Sequence, residues 1–525
     1  MNIQNLSLRE KILQTVCALI DPDTFLEEKV GAAFFFGQII TDADEMGLDM
    51  AVKKLEQYID HADIPLLITS DFENGCGSML KGLTPFPYMM GLGATNSEEI
   101  AYNYGKATAL EAQSVGANWS FSPVCDLNVN PRNPLIGVRG LTDDPDLACR
   151  MLKALIRGMQ DHGLAACAKH FPGDGVDYRD QHITTTNNTL PLEEWKKMHG
   201  RVFKELIDDG VYSVMAGHIT LPAYQRETIH GGMYPPATLS KELLTDLLKG
   251  ELGFKGVVVS DALGMGGFMG WYDSQRRAEI EAFKAGCDMM LWPTKHFVDD
   301  LEQAISCGYV PMERLDDALS RILTMKEKLG LFNKDNHARP LTPSQKEFVK
   351  TAQQQTAEHS ITLLRDEAGR FPLTSDKIKK IAVIPCTHHE PALKEGKLLC
   401  SLLKEKGFTV DYWQEKGIRS QNQADEYDLL IYALFSRPFR PIGFLDFQAL
   451  PARNIAAANK FAPEKSMMVS FGSPYHAEQY FERCPTVVNA YSMVSPSVEA
   501  FVKAATGEIP FTDFSPVKLK RFSFE

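Results

Sequence analysis

Short apolar runs alternate with longer helical patterns over roughly the first 330 residues of the chain. The runs are GAAFFFG near position 31, PLLITSDFE at 65, NWSFSPVCD at 118, AACAKHF at 165, SVMAGHI at 213, GVVVSDA at 256 and CDMMLWP at 287. Strands that are apolar along their whole length are typical of a parallel sheet covered by helices on both faces. The alternation therefore predicts an α/β fold.

Seven such strands in a segment of this length favour a (β/α)8 TIM-type barrel over an open doubly wound sheet. No eighth strand is evident, which leaves open an irregular barrel. The N-terminal stretch MNIQNLSLREKILQTVCALI has apolar residues at helical spacing, and we predict that it forms an amphipathic helix.

Polar residues of the kinds that act in catalysis or binding stand at the ends of these runs. They are Asp71, Glu73, Asp126, Lys169, His170, His218, Asp261 and Trp292. A parallel barrel gathers the C-terminal ends of its strands at one face, where its active site is built. We therefore expect these strand ends to converge on one pocket.

The pattern breaks after ERLDDALSRILTMKEKLGLF, where a polar stretch with two prolines follows, NKDNHARPLTPSQ. We predict a catalytic barrel over 1–335, a linker over 336–350 and an open α/β sandwich domain over 351–525. The last region repeats a strand–helix alternation. It carries no G-x-G-x-x-G or Walker motif, so nucleotide binding is not indicated.

Charge and cysteine usage exclude several functional classes. The net charge of −13 argues against a nucleic-acid partner and against an anionic membrane. The N-terminus lacks the unbroken apolar region of a secretory signal, which favours a cytoplasmic location. The ten cysteines form no C-x-x-C pair, so we predict reduced thiols, no metal site and no cofactor. The oligomeric state stays open.

A loop with a D-x-H motif follows the run that ends in Lys169 and His170. In an extended loop the side chains of Asp180 and His182 project to the same side. The carboxylate can then hold the imidazole in one tautomer and keep it useful as an acid and a base near neutrality. The alternative is a surface loop with two unrelated polar residues.

Asp261 follows the strand-like run GVVVS and precedes a glycine-rich loop. A carboxylate held rigidly at the mouth of a barrel can attack an anomeric carbon, as a retaining glycosidase requires. The alternative is an N-cap aspartate for the following helix. The position alone does not decide between the two.

The segments KHFPGDG, the following D-x-H and VVVSDALGM resemble glycoside hydrolase family 3, specifically its β-N-acetylglucosaminidase branch. The resemblance implies a barrel followed by a second domain, Asp261 as nucleophile and Asp180–His182 as acid/base pair. It also implies sugar contacts from strand-end residues, for which structural salt bridges at the rim are the alternative. The predicted substrate-binding residues are Asp71, Arg139, Lys169, His170, His218 and Met265.

The chain departs from the family pattern at four positions. Asn74 replaces a glycine, and Met79 stands where an arginine that contacts the sugar is expected. Ala262 replaces a second aspartate beside the nucleophile, and Asp174 replaces a histidine common in the acetylglucosaminidases. None of these positions belongs to the proposed dyad or nucleophile, so the departures bear on the choice of sugar and not on the activity.

The predicted function is that of a retaining, exo-acting β-N-acetylglucosaminidase whose partner is a small carbohydrate, either a GlcNAc-containing glycan or a muropeptide. Three alternatives stay open. A histidine acid/base repels phosphate less than a carboxylate does, so the chain could be a phosphorylase. It could also be a β-glucosidase or β-xylosidase of the same family. A sugar-binding protein without activity is disfavoured, because the nucleophile and the acid are both present.

Overall fold

Eight parallel strands close into a barrel in the computed structural model, which describes residues 6–20, 28–35, 47–333, 336–387, 392–414, 417–436 and 449–519. The barrel strands are β1 Val16–Leu19, β2 Ala32–Phe34, β3 Leu67–Ser70, β4 Trp119–Ser120, β5 Cys167–Phe171, β7 Ser213–Ala216, β9 Val257–Ser260 and β10 Met290–Leu291; β6 Thr186–Asn187 pairs with β8 Ile219–Thr220 above them. Hydrogen-bonded order is β10-β1-β2-β3-β4 and β5-β7-β9. Parallel bridges Trp119–Ala165 and Val259–Met289 join the two groups and complete the ring. The predicted barrel is confirmed.

Helices surround this barrel. They are α1 Leu8–Leu13, α2 Gly47–His61, α3 Met89–Thr95, α4 Glu98–Ser114, α5 Pro145–Gln160, α6 Leu192–Lys197, α7 His199–Asp208, α8 Gln275–Ala285, α9 Phe297–Ser306 and α10 Met312–Lys328, with a π-helix over Glu242–Glu251. Short 3-10 turns lie at Cys76–Ser78, Gly137–Arg139 and Ala237–Leu239. No helix among the described residues is both long enough and apolar enough to cross a bilayer.

The strands place alternate side chains inside and outside the barrel, as the two-residue period of a strand requires. Phe34 and Val259 lie in a buried cluster at the barrel axis together with Trp119 and Cys167. Their neighbours Ala33 and Val258 lie instead in the larger cluster beneath the helices. Both faces are apolar, which explains why the strand runs lack polar alternation.

The predicted N-terminal helix is wrong beyond Leu13. Helix α1 begins after the N-cap Ser7, which forms a capping box with Glu10, and the helix ends at Leu13. Residues Val16–Leu19 then form β1, which pairs in parallel with β2 and β10. This segment supplies the eighth strand that the sequence pattern did not reveal.

A second, six-stranded sheet forms the remainder of the chain. Its strands are β11 Thr362–Asp366, β12 Lys380–Cys386, β13 Thr409–Tyr412, β14 Leu429–Phe435, β15 Ser466–Phe471 and β16 Thr486–Asn489, in the order β11-β16-β15-β14-β12-β13. All pairs are parallel except β11 with β16. The accompanying helices are α11 Pro343–Glu358, α12 Ala392–Glu405, α13 Gln421–Asp425, α14 Ala449–Lys460, α15 Tyr475–Tyr480 and α16 Ser495–Ala505, with a 3-10 turn at Pro463–Lys465. This is the predicted α/β sandwich. Helix α11 begins inside the predicted linker 336–350, and the domain boundaries stay predictions.

The second domain packs against the part of the barrel that carries Arg139. Val138, in the 3-10 turn Gly137–Arg139, is buried in one apolar cluster with Tyr491 and Val517. The backbone N–H of Lys518 also donates to Asp143 Oδ2 at 2.9 Å. The second domain therefore supports a loop that reaches the barrel mouth.

Candidate active site

Strand alternation directs three of the predicted residues toward the barrel axis. Val259 and Cys167 point into the barrel, and Asp261 and Lys169 each lie two positions further along the chain. Asp71 lies four positions beyond the inward-facing Leu67. An even spacing in an extended strand returns a side chain to the same face. The register of the barrel thus gathers these three charged groups at its C-terminal mouth.

Asp261 is fixed by backbone hydrogen bonds as it leaves β9. Its own N–H donates to the carbonyl of Ala216 at 3.0 Å, and its Oδ1 accepts the N–H of Ala262 at 2.8 Å. Its side chain is 13% exposed. The next helix begins only at Gln275 and has Ser274 as its N-cap, so Asp261 does not cap a helix.

The surroundings of Asp261 favour its ionised form. Burial acts to raise the pKa of this carboxyl, but the electrostatic effect of the neighbouring histidines, that of His170 first, and the hydrogen bond from Ala262 outweigh it. The net pKa of Asp261 lies below its ordinary value. A carboxylate that is ionised, positioned and partly open to solvent is suited to act as a nucleophile.

His170 links this carboxylate to a second, deeply buried one. Its Nε2 lies 3.9 Å from Asp261 Oδ2, and its Nδ1 lies 2.7 Å from Asp126 Oδ2. The N–H groups of His170 and Asp174 also donate to Asp126. Burial acts to raise the pKa of Asp126, whereas the His170 charge and these hydrogen bonds outweigh it and lower the pKa. Asp126 therefore holds the imidazole in a fixed orientation beside Asp261.

A chain of buried ion pairs connects four strand-end and loop residues. Lys169 Nζ lies 2.6 Å from Asp71 Oδ1 and 2.8 Å from Glu73 Oε1. Arg139 donates from Nε and Nη2 to the two carboxylate oxygens of Glu73, each at 2.8 Å. Buried charges need such partners because desolvation is otherwise costly. The predicted residues Asp71, Lys169 and Arg139 thus lie together, joined by ion pairs, and their contacts with a sugar stay a prediction.

The D-x-H motif forms the expected dyad. The Nδ1 of His182 lies 2.7 Å from Asp180 Oδ1, and the His182 N–H donates to the same oxygen at 2.8 Å. Asp180 is buried, while the side chain of His182 is 24% exposed. With Nδ1 engaged, Nε2 is the nitrogen left to exchange a proton at the mouth. The unrelated-residue alternative for this loop is excluded.

We call the loop that carries Asp180 and His182 the dyad loop. Two glycines let the dyad loop lie directly on the loop that follows Asp261. The N–H groups of Gly266 and Gly267 donate to the carbonyls of His182 and Gln181 at 2.9 and 3.0 Å. A Cβ at position 267 would lie 2.6 Å from the Gln181 oxygen, and one at 266 would lie 2.2 Å from the Ile183 oxygen. Only glycine permits this approach. We call these contacts the glycine clasp.

His218 is buried between the two loops. Its N–H donates to Gln181 Oε1 at 2.8 Å, its Nδ1 lies 2.9 Å from Thr238 Oγ1, and its Nε2 lies 3.0 Å from the Ala262 carbonyl. Burial lowers the pKa of His218, which favours a neutral ring whose Nε2–H donates to that carbonyl. Both ring nitrogens are thus engaged within the protein.

The remaining predicted positions surround this centre. Met265 is buried in the turn after Asp261, where its N–H donates to the Ala262 carbonyl at 3.1 Å. Met79 is half-buried and packs against the barrel cores. Asn74 donates to the Phe86 carbonyl at 3.2 Å. Asn74 and Met79, the two departures in this loop, thus both contact neighbouring groups of the protein.

Asp174 is a buried carboxyl at the base of the dyad loop. Its Oδ1 accepts from Asn133 Nδ2 at 2.9 Å and from the N–H of Gly175 at 2.6 Å, while its own N–H donates to Asp126. Burial, together with the negative charge of Asp126, raises the pKa of Asp174 to about 8. Asp174 is therefore largely protonated at neutral pH.

The sequence pattern places Glu73 and Asp126 at strand ends without indicating a role for them, and it does not distinguish Gln181. Glu73 joins the two cations, Asp126 orients His170, and Gln181 connects the dyad loop to His218. The signal for Gln181 was its position inside the D-x-H motif. Among the described residues, no group of three or more His, Cys, Asp or Glu is arranged to hold a metal ion. The centre holds a carboxylate suited to nucleophilic attack and a histidine suited to proton exchange.

Comparisons with known proteins bear on the family and the fold of this chain. The model of the glycosyl hydrolase family 3 N terminal domain matches residues 7–325. A Cellulomonas fimi protein described as a beta-N-acetylglucosaminidase/beta-glucosidase is 32% identical over 485 residues, which is 87% of this chain and 84% of that protein. The solved structure of beta-glucoside phosphorylase BglX superposes with a TM-score of 0.89 at 30% identity, covering 99% of this chain and 95% of that one. A family 3 beta-N-acetylglucosaminidase from Paenibacillus sp. str. FPU-7 gives a TM-score of 0.83 at 27% identity, covering 99% and 100%.

Proposed function

This chain belongs to glycosyl hydrolase family 3, and we propose that it is a retaining exo-acting β-N-acetylglucosaminidase with Asp261 as nucleophile and Asp180–His182 as acid/base dyad. The hydrogen bond of 2.7 Å between His182 Nδ1 and Asp180 Oδ1 carries the proposal. It leaves Nε2 of a solvent-accessible imidazole available for proton transfer. The Cellulomonas relative and the Paenibacillus enzyme support the choice of sugar.

In the first half-reaction, Asp261 attacks C1 of the terminal sugar and His182 gives a proton to the departing glycosidic oxygen. The product is a glycosyl ester on Asp261. The buried carboxylate of Asp180 stabilises the imidazolium before the transfer and fixes its orientation. The lowered pKa of Asp261 keeps this group ionised for the attack.

In the second half-reaction, the now neutral His182 takes a proton from water, and the water oxygen attacks C1. Asp261 leaves as a carboxylate, and the sugar departs with its β configuration retained. We assign the binding of the sugar hydroxyls to Asp71, Lys169, Arg139 and His170. Charge-assisted hydrogen bonds from these groups are stronger than neutral ones and fix the ring over Asp261.

A panel of aryl β-glycosides tests the activity. We expect hydrolysis of the N-acetylglucosaminide to exceed that of the glucoside, xyloside and N-acetylgalactosaminide, with the β anomer as first product by NMR. His182→Ala should lose roughly 10²–10⁴-fold in kcat on an alkyl glycoside and less on an activated aryl glycoside. Equal loss on both substrates would remove His182 from the role of general acid.

Phosphorolysis is a second candidate, favoured by the similarity to beta-glucoside phosphorylase BglX over 99% of this chain. A neutral histidine repels phosphate less than a carboxylate base does, so phosphate could replace water in the second half-reaction. The same assays with and without inorganic phosphate separate the two activities. Sugar 1-phosphate as the main product would identify a phosphorylase, whereas free sugar at an unchanged rate would identify a hydrolase.

A further inference from the structure

Large apolar side chains are exposed at few places in the described part of the chain, and most of those places lie in the loops that follow strands β5, β8 and β9. Four of the six are Tyr178 at 66% exposure, Ile183 at 52%, Met233 at 51% and Met269 at 51%. Single exposed apolar residues are ordinary on a protein surface. A group of them beside a reaction centre is not, and such groups mark binding surfaces.

The loops that carry three of these side chains, Ile183, Met233 and Met269, are bonded to one another. Trp271 Nε1 donates to Thr185 Oγ1 at 2.8 Å, which joins the loop of Met269 to the loop of Ile183. The ring of His230 contacts the carbonyl and the ring of Trp271. Residue 230 lies in the turn closed by the Ile229–Met233 bridge, so Met233 belongs to the same assembly. We call Ile183, Met233, Met269 and Trp271 the apolar rim.

The apolar rim lies on the leaving-group side of the centre. His182 must face the glycosidic oxygen that it protonates, so the aglycone extends from that oxygen past the dyad loop toward solvent. Ile183 follows His182 directly and is the first exposed side chain beyond it. The glycine clasp holds this segment against the loop of Met269. The path of the aglycone therefore crosses the rim.

Resting on the proposed function, we propose that the apolar rim is an aglycone subsite and that the preferred substrates carry an alkyl or aryl aglycone. The exposed side chains at the rim are thioethers and hydrocarbon, and the half-buried Trp271 adds an aromatic ring. An apolar aglycone that covers these groups removes apolar surface from water, which is favourable. A charged peptide would lose hydration at the same place without a charged partner among these side chains.

A matched pair of glycosides tests the subsite: methyl and octyl β-N-acetylglucosaminide, both below the concentration at which micelles form. We expect kcat/KM to be about tenfold higher for the octyl glycoside, which corresponds to burial of about two methylene groups. In Ile183→Ser and Met269→Ser the octyl-to-methyl ratio should fall toward one. Met312→Ser is the control, because Met312 is exposed on α10 away from the rim and its variant should keep the wild-type ratio.

Three outcomes would overturn the subsite. They are a wild-type ratio near one, a ratio unchanged in both rim variants, and a change of oligomeric state in the rim variants by light scattering, which would mean that a second copy covers the rim. Failure of the proposed function looks different. In that case neither N-acetylglucosaminide is hydrolysed while the methyl and octyl glucosides are, and the same ratio is then read on the glucoside pair.

Discussion

The backbone N–H of His218 donates to Gln181 Oε1 at 2.8 Å, across the gap between the dyad loop and the strand that follows it in the barrel. The ring Nε2 of His218 lies 3.0 Å from the carbonyl of Ala262, which follows Asp261 directly in the chain. One buried residue thus connects the segment that carries the proposed general acid to the segment that carries the proposed nucleophile. The two halves of the proposed mechanism are positioned as one unit.

Gln181→Met tests this connection. The substitution keeps the length of the side chain but removes the acceptor, which leaves a buried N–H without its partner and loosens the dyad loop. We expect kcat on an alkyl glycoside to fall about tenfold, with a smaller change on a dinitrophenyl glycoside that needs no proton. Gln160→Met is the control, since Gln160 also accepts from a backbone N–H, at Tyr212, but away from the mouth. Equal losses on both substrates would contradict a positioning role.

Gly267→Ala tests the glycine clasp. The added methyl group would lie 2.6 Å from the Gln181 oxygen and 2.8 Å from His218 Cβ, so the dyad loop must move away. Overpacking of this kind costs about 1–3 kcal/mol, and we expect a tenfold or greater loss of kcat on alkyl glycosides. Gly264→Ala is the matched control from the same loop, because a Cβ there meets nothing within 4 Å. Similar activity of the two variants would remove the clasp from the mechanism.

Most of the barrel could be predicted because its strands are buried on both faces and read as continuous apolar runs. The eighth strand, Val16–Leu19, could not. Four apolar residues that follow a helix, two of them buried, also fit the helical period, and periodicity alone does not separate a short strand from a helix. The segment is a strand because it pairs with Ala32 and Met290, which lie further along the chain and are not visible in the local pattern.

The site could be predicted as far as strand ends reveal it. Asp261, Lys169 and Asp71 lie together because strand register carries them to one mouth. Contacts made between loops, such as that of Gln181 with His218, depend on the assembled barrel and have no local signature. The role of His218 in binding substrate stays a prediction; in the structure its side chain is buried and its Nε2 lies 3.0 Å from the Ala262 carbonyl.

Asp174→Asn tests the buried acid at the base of the dyad loop. The pKa of Asp174 is raised to about 8, whereas an unfolded aspartate titrates near 3.9. Between these values the unfolded chain has lost a proton that the folded protein keeps, so stability falls as pH rises from about 4 to 8. The amide retains the acceptor for Asn133 and Gly175 and does not ionise.

We therefore expect the melting temperature of Asp174→Asn relative to wild type to be higher at pH 9 than at pH 5. The differential free energy should be on the order of a few kcal/mol. Asp273→Asn, at an exposed position, should show no such divergence. Parallel melting curves for wild type and Asp174→Asn across this range would contradict the raised pKa.

Lys326→Met tests a buried cation remote from the mouth. Lys326 Nζ donates to the neutral amide oxygen of Gln14 at 2.8 Å, and burial lowers the pKa of this lysine to about 7. An unfolded lysine titrates near 10.4, so below pH 7 both states are protonated and the folded state bears the full cost of a buried charge. That cost is lost as pH rises from about 7 to 10.

Methionine fills a similar volume without charge, so we expect Lys326→Met to raise the melting temperature most at pH 6 and little at pH 10. Lys328→Met, exposed on the same helix, should change the melting temperature little at either pH, and a Lys326→Met variant less stable than wild type at pH 6 would show that the ammonium is needed by the fold.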